Sequence, residues 1–191
     1  SGNTQEPFYA YGGSYPLGNR YGDAKGADQL ELTQAIAATP TQMTGFIEFV
    51  EMGTAQEAVG TGVLAISKYD ATGARFFISR GTSGYRVTHH NGTSSVTSEL
   101  AVFPAMGDLV RLRTTFGADG SIQIHQSINA AAETSGSASA DLAPAGSWGA
   151  RSIWVNSVGK ANYGFMEFIR YGFLPGTKTM AQCVASVPSP A

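Results

Sequence analysis

Between residues 108 and 128 apolar and polar side chains alternate with a period of two. Val110, Leu112, Thr114 and Phe116 fall on one side, and Arg111, Arg113 and Thr115 on the other. Gly117-Ala118-Asp119-Gly120 follows, and its Asp-Gly step supplies the positive φ that a tight reversal needs. Beyond it Ile122, Ile124, Gln126 and Ile128 oppose Gln123, His125 and Ser127. Alternation on both arms of an Asp-Gly turn predicts an antiparallel hairpin with one apolar and one polar face.

The same reading gives strands at Gly45–Met52, Gly62–Tyr69, Arg75–Arg80, Tyr85–His90, Ser95–Phe103, Ser152–Ser157 and Gly164–Phe173. Turn formers separate them: Gly53, Asp70–Gly73, Gly81–Gly84, Asn91-Gly92, Pro104 and Pro175-Gly176. Leu30–Ile36 fits both period two and an i, i+4 spacing, so it is a strand or a short helix, ended by Pro40. Asn129–Ala140, rich in small residues, predicts loop or a weak edge. Strands about every ten residues, split by Gly and Asn turns, argue an all-β sandwich or barrel. With no fixed repeat, a propeller or β-helix is disfavoured.

Before residue 30 the pattern breaks down. Phe8, Tyr9, Tyr11, Tyr15 and Tyr21 are interleaved with Gly12-Gly13, Pro16, Gly18, Gly22 and Gly26. Residues 1–29 therefore read as an irregular arm, either laid over the domain or docked on a neighbouring subunit through its tyrosines. Residues 30–180 read as the sandwich. Residues 181–191, ending in Pro188 and Pro190, read as a flexible tail.

Composition narrows the partners. Charged residues make up only 14% of the 191, and the 24 glycines suit a turn-rich β domain. A net charge of -2 offers no basic field for nucleic acid and no polybasic membrane surface. No run approaches the roughly 20 apolar residues of a membrane span. The opening Ser-Gly-Asn, without Met or an apolar leader, predicts a processed product or a fragment. Cys183 stands alone, which excludes an intramolecular disulfide and a thiolate metal cluster and predicts a passive or buried thiol. Asn91-Gly92-Thr93 matches a glycosylation sequon, a match common by chance.

The order of features in the second half is Gly107–Arg113 running into Phe116, then Ala118-Asp119-Gly120-Ser121-Ile122, then a loop ending at Trp148. Ser152-Ile153-Trp154-Val155-Asn156-Ser157, Gly164–Ile169 and Pro175-Gly176 follow. This order resembles the concanavalin A-like lectin/glucanase jelly roll, including the laminin-G-like domains of bacteriophage virion proteins. The resemblance spans about residues 43–176 and leaves out the arm. It implies two stacked antiparallel sheets, one concave, with glycan binding as the usual activity.

Glycanases of that fold carry alternating carboxylates on one strand. The nearest match is Phe46-Ile47-Glu48-Phe49-Val50-Glu51, where Glu48 and Glu51 are three apart and point to opposite faces of a flat strand. His89, His90 and His125 come without a Gly-x-Ser-x-Gly elbow or a third metal-ligand spacing, and are expected as imidazoles on the surface beside a turn. Asp70 and Asp119 sit in turns where Asp is favoured whether or not calcium binds. Trp154 and Asn156 alternate with Ile153 and Val155. If the aliphatic pair is internal, Trp154 and Asn156 form an outward stacking and hydrogen-bonding pair suited to a sugar.

The sequence thus predicts a non-enzymatic virion surface protein (head fibre, spike or tail-associated) that binds host glycans through Trp154, Asn156, Tyr85, His89 and Trp148. Neither metal nor cofactor is expected. The arm would meet neighbouring virion subunits, and the resemblance implies a homo-oligomer; nucleic acid and membrane are not expected partners. A glycan hydrolase of the same fold and a structural decoration protein are the alternatives.

Overall fold

In the computed structural model the described residues are 9–10, 15–17, 30–35, 42–52, 62–68, 75–142, 150–155 and 166–187, with side chains described for 42–52, 76–142 and 169–187. They form thirteen strands and one helix. In chain order the strands are β1 (Tyr9–Ala10), β2 (Tyr15–Leu17), β3 (Leu30–Ala35), β4 (Met43–Glu51), β5 (Gly62–Lys68), β6 (Arg75–Arg80), β7 (Tyr85–His90), β8 (Ser95–Glu99), β9 (Leu109–Phe116), β10 (Ile122–Ile128), β11 (Thr134–Ser135), β12 (Ala150–Val155) and β13 (Met166–Pro175). The helix is α1 (Met180–Ser186).

The alternating segment forms the predicted hairpin. β9 and β10 pair with Phe116 opposite Ile122, Thr114 opposite Ile124 and Val110 opposite Ile128. Val110, Leu112, Thr114, Phe116, Ile122 and Ile124 are all buried. At the turn Gly120 has φ +81°, and a Cβ there would lie 1.7 Å from the Leu142 carbonyl oxygen, so only glycine fits.

The hairpin sits in a seven-stranded sheet, ordered β1-β13-β4-β9-β10-β11 with β2 also on β13. A six-stranded sheet, β3-β12-β5-β6-β7-β8, lies against it. Every strand pair is antiparallel. Between the sheets lies one apolar core, with Ile47, Phe49, Val110, Leu112 and Phe173 from one side and Phe76, Ile78 and Val87 from the other. Burying each such side chain contributes about 1.5–3 kcal/mol, and edge-to-face ring pairs such as Phe76–Phe116 order the filling. At one margin the Ser98 hydroxyl accepts from the Ile124 N–H, joining β8 to β10 across the sandwich.

Of the two readings left open for Leu30–Ile36, the strand is the one found, over Leu30–Ala35 with its register fixed by β12. Other expectations need correction. The strand begun at Ser95 ends at Glu99, before Pro104 removes a backbone donor. Residues 181–187 are not a flexible tail. Thr179 caps α1 through a reciprocal capping box with Gln182. Met180, Cys183 and Val187 bury themselves on Phe46 and Leu174, on the outer face of the seven-stranded sheet. That cover explains why β4 is buried on both faces. The described backbone of the arm, β1 and β2, pairs with β13 of its own domain. Among the described residues no helix is long and apolar enough to cross a membrane.

Candidate functional site

The chemistry-bearing side chains sort by the face of the strand that carries them. Along β4, Ile47, Phe49 and Glu51 face the interior, while Phe46 and Glu48 face outward beneath or beside α1. Glu48 and Glu51 therefore diverge, as their spacing predicts.

Inside, Glu51 accepts from the Tyr85 hydroxyl and lies 3.5 Å from Arg80 Nη1. The Arg80 guanidinium is centred 4.3 Å above the Phe103 ring. Glu51 comes from one sheet, and Arg80 and Tyr85 from the other, so the ion pair bridges the interior.

Outside, Glu48 stands opposite Arg111 on β9 and Arg170 on β13. A bulge between Phe168 and Arg170 shifts the register of β13 and brings Arg170 to that position. Arg111 Nε donates to Glu48 Oε1 at 2.7 Å, and Arg170 Nε donates to Oε2. Arg170 Nη1 also donates to the Val184 and Val187 carbonyls at 3.0 and 2.6 Å, tying the end of α1 to the sheet.

Next to that group the outer face of β9 and β10 continues between α1 and residues 131–135. Arg113 donates to Glu133 Oε2 at 3.2 Å from Nε and 2.6 Å from Nη2. His125 pairs with Arg113 across the ladder, and its Nδ1 lies 2.7 Å from the Ser135 hydroxyl. Burial, then the Arg113 charge, lower its pKa below the ordinary 6.5, against the pull of Glu133. The Ser127 hydroxyl donates to the Ala131 carbonyl. Sequence reasoning placed Arg111 and Arg113 on the polar face of the hairpin but missed their partners, because Glu48, Glu133 and Arg170 are distant in sequence.

In the other sheet the backbone of Trp154 pairs with Ala65, Ala65 with Phe77, and Phe77 with Thr88. Phe76 and Ile78, the neighbours of Phe77, are core residues. The row that contains Trp154 is therefore the one that alternates with the core.

Of the expected sugar-contacting residues, Tyr85 and His89 are not on an open face. Tyr85 is 1% exposed and His89 0%. On β7 they share the side of Val87, so the alternation that turns Val87 inward turns them inward too. His89 packs 4.8 Å from the Phe116 ring, and its Nδ1 donates to the Gly120 carbonyl at 3.0 Å. Burial, and secondarily His90, hold its pKa below 6.5. The expectation of surface imidazoles fails for His89, whereas half-exposed His90 sits at the turn and accepts from the Gly92 N–H. The backbone of Trp154 is placed but its side chain is not described, and Trp148 and Asn156 lie outside the described residues, as does Asp70. Asp119 accepts from the Ser121 hydroxyl and N–H, which lowers its pKa and spends its carboxylate on the turn. Among the described residues no three His, Cys, Asp or Glu side chains cluster as metal ligands.

No family model matches the chain. No curated protein matches it in sequence either. Solved structures do. The sialidase CBM40 of Ruminococcus gnavus bound to α2,6-sialyllactose superposes with a TM-score of 0.55 at 14% identity, covering 93% of this chain and 96% of that one. The fold is that of the concanavalin A-like lectins. Lectin II from Ulex europaeus gives a TM-score of 0.51 at 8% identity, covering 93% and 92% of the two chains. The LG1-3 region of the laminin α2 chain gives 0.54 at 10% identity, covering 85% of this chain and 33% of that one. At these identities the likeness concerns the concanavalin A-like, laminin-G-like fold.

Proposed function

We propose that the chain is a non-catalytic glycan-binding module with its sugar platform on the outer face of the six-stranded sheet, at Trp154 and Asn156, with Trp148 as a further candidate contact. The observation that carries this reading is the register: Trp154 belongs to the row of Ala65, Phe77 and Thr88, while Ile153 belongs to the row of core residue Phe76. An aromatic side chain with a neighbouring amide, outside the core, suits the face and hydroxyls of a pyranose. The names of two structural neighbours, a sialyllactose-bound carbohydrate-binding module and a lectin, support the same ligand class. The engagement of Glu48 with two arginines, and of Glu51 with Arg80 and Tyr85, argues against these two acting as a catalytic acid pair. The particle setting, a head fibre, spike or tail-associated protein at the virion surface, rests on the resemblance of residues 43–176 to virion domains.

A glycan array probed with the wild-type chain and with Trp154→Ala tests the reading. Binding is expected for the wild type and about tenfold weaker binding for the variant. A wild-type chain that binds no glycan, or a variant that binds like wild type, overturns it.

A further inference from the structure

The outer face of the seven-stranded sheet holds a charge imbalance that the platform at Trp154 does not use. One carboxylate, Glu48, lies between two guanidiniums, Arg111 and Arg170. The remaining bonds of Arg170 run to the Val184 and Val187 carbonyls under α1, where its side chain is 6% exposed. Arg111 differs: its side chain is 23% exposed, and among the described residues its side-chain hydrogen bond is the one from Nε to Glu48. Both Nη nitrogens of Arg111 lack a partner among the described residues. The surplus positive charge of the trio therefore sits on Arg111, with its planar fork held from behind by Glu48.

Its surroundings suit an anion. Arg113, the next outward residue on β9, is neutralised by Glu133, so Glu133 is already engaged and repels a ligand less than a free carboxylate would. A guanidinium fixed through Nε presents two parallel N–H bonds to a carboxylate or sulfate, geometry a lysine does not offer.

We infer that the strip of outer face around Arg111, between α1 and residues 131–135, is a second binding site, for a glycan that carries a carboxylate or sulfate group. The sugar half of this inference rests on the glycan-binding reading above. The anion half rests on Arg111 alone.

The test is direct binding of the full chain to matched pairs: cellobiouronic acid against cellobiose, sialyllactose against lactose, and sulfated lactose against lactose. Each acidic member is expected to bind about tenfold to a hundredfold tighter than its neutral counterpart, the range of a charged hydrogen-bonded contact. Arg111→Gln should remove that preference while neutral-sugar binding at Trp154 persists, and Trp154→Ala should do the reverse. Arg111→Lys, which keeps the charge but not the fork, should retain only part of the preference, and a melting curve for each variant reports that it folds. The uronate and sulfate arms show which anion is preferred. Equal affinity for acidic and neutral sugars, or an acidic preference that survives Arg111→Gln, overturns the inference and leaves the glycan reading standing. Failure of every sugar to bind overturns both.

Discussion

Glu48 and Glu51 are the same residue type on the same strand, and they end in opposite circumstances. Glu51 points between the sheets, where Arg80 and Tyr85 close around it and its side chain is 1% exposed. Glu48 points away from the core and is shared between Arg111, which reaches solvent, and Arg170, which is locked to α1. The first arrangement is buried and joins one sheet to the other. The second leaves a cation with donors to spare. Three residues of β pleat thus separate a structural ion pair from a group able to meet a ligand. The buried bridge gives less net stability than its charges suggest, since both were taken out of water to form it; removing one partner is what costs most.

The largest expected effect follows from that asymmetry. Glu51→Ala removes the carboxylate that Arg80 and Tyr85 meet in the interior and should lower stability by about 3–5 kcal/mol, with Tm falling by about 6–20 °C for a chain of this size. Replacing Glu51 and Arg80 together by Met should recover a good part of the loss, because no lone charge then remains buried. Urea unfolding of the single and double variants measures both. A single variant within about 1 kcal/mol of wild type would erase the contrast between the two glutamates.

Glu48→Ala should cost less, about 1–3 kcal/mol, because Arg111 turns to water and Arg170 keeps its two carbonyl partners. Its particular consequence is local. Cys183 lies buried under α1 with its thiol pushed up to about 11, chiefly by burial, so the folded protein should react slowly with thiol reagents. Loosening Arg170 should speed that labelling under native conditions, ahead of global unfolding. Labelling of Glu48→Ala at the wild-type rate would show that Glu48 does not hold the helix.

The same distinction marks what could be read from sequence. The β9–β10 hairpin was legible because its alternation and its Asp-Gly turn agree, and neither depends on a distant partner. Tyr85 and His89 were legible in principle: the period that turns Val87 inward carries both with it, and only the polarity of the side chains suggested otherwise. The helix was signalled by Thr179-x-x-Gln182 and the spacing of Met180 and Cys183, a signal obscured by the prolines that follow. The trio of Glu48, Arg111 and Arg170 was not legible. Its members are 63 and 122 positions apart, and a bulge in β13 sets which residue stands opposite Glu48. A single sequence carries no signal for either.

The smallest effect expected concerns two histidines, one on each side of the seven-stranded sheet. His89 faces inward and His125 outward, and burial lowers the pKa of both below 6.5. For a base whose folded pKa is lowered, the unfolded chain binds the proton first as pH falls. The stability owed to the neutral ring is therefore fully present above 6.5 and is lost progressively below it, toward the folded pKa. His89, 0% exposed and bonded to the turn at Gly120, is lowered by burial and by His90 against the pull of the Gly120 carbonyl, whereas at His125 the Glu133 carboxylate, 3.8 Å away, partly offsets the shift. Urea midpoints measured from pH 8 to pH 5 should fall with acidification in the wild type. The slope should flatten more in His89→Asn than in His125→Asn, whatever each substitution does to stability at pH 8. Equal slopes in all three proteins would mean that the interior beside Phe116 admits a charged imidazole as readily as the outer face does.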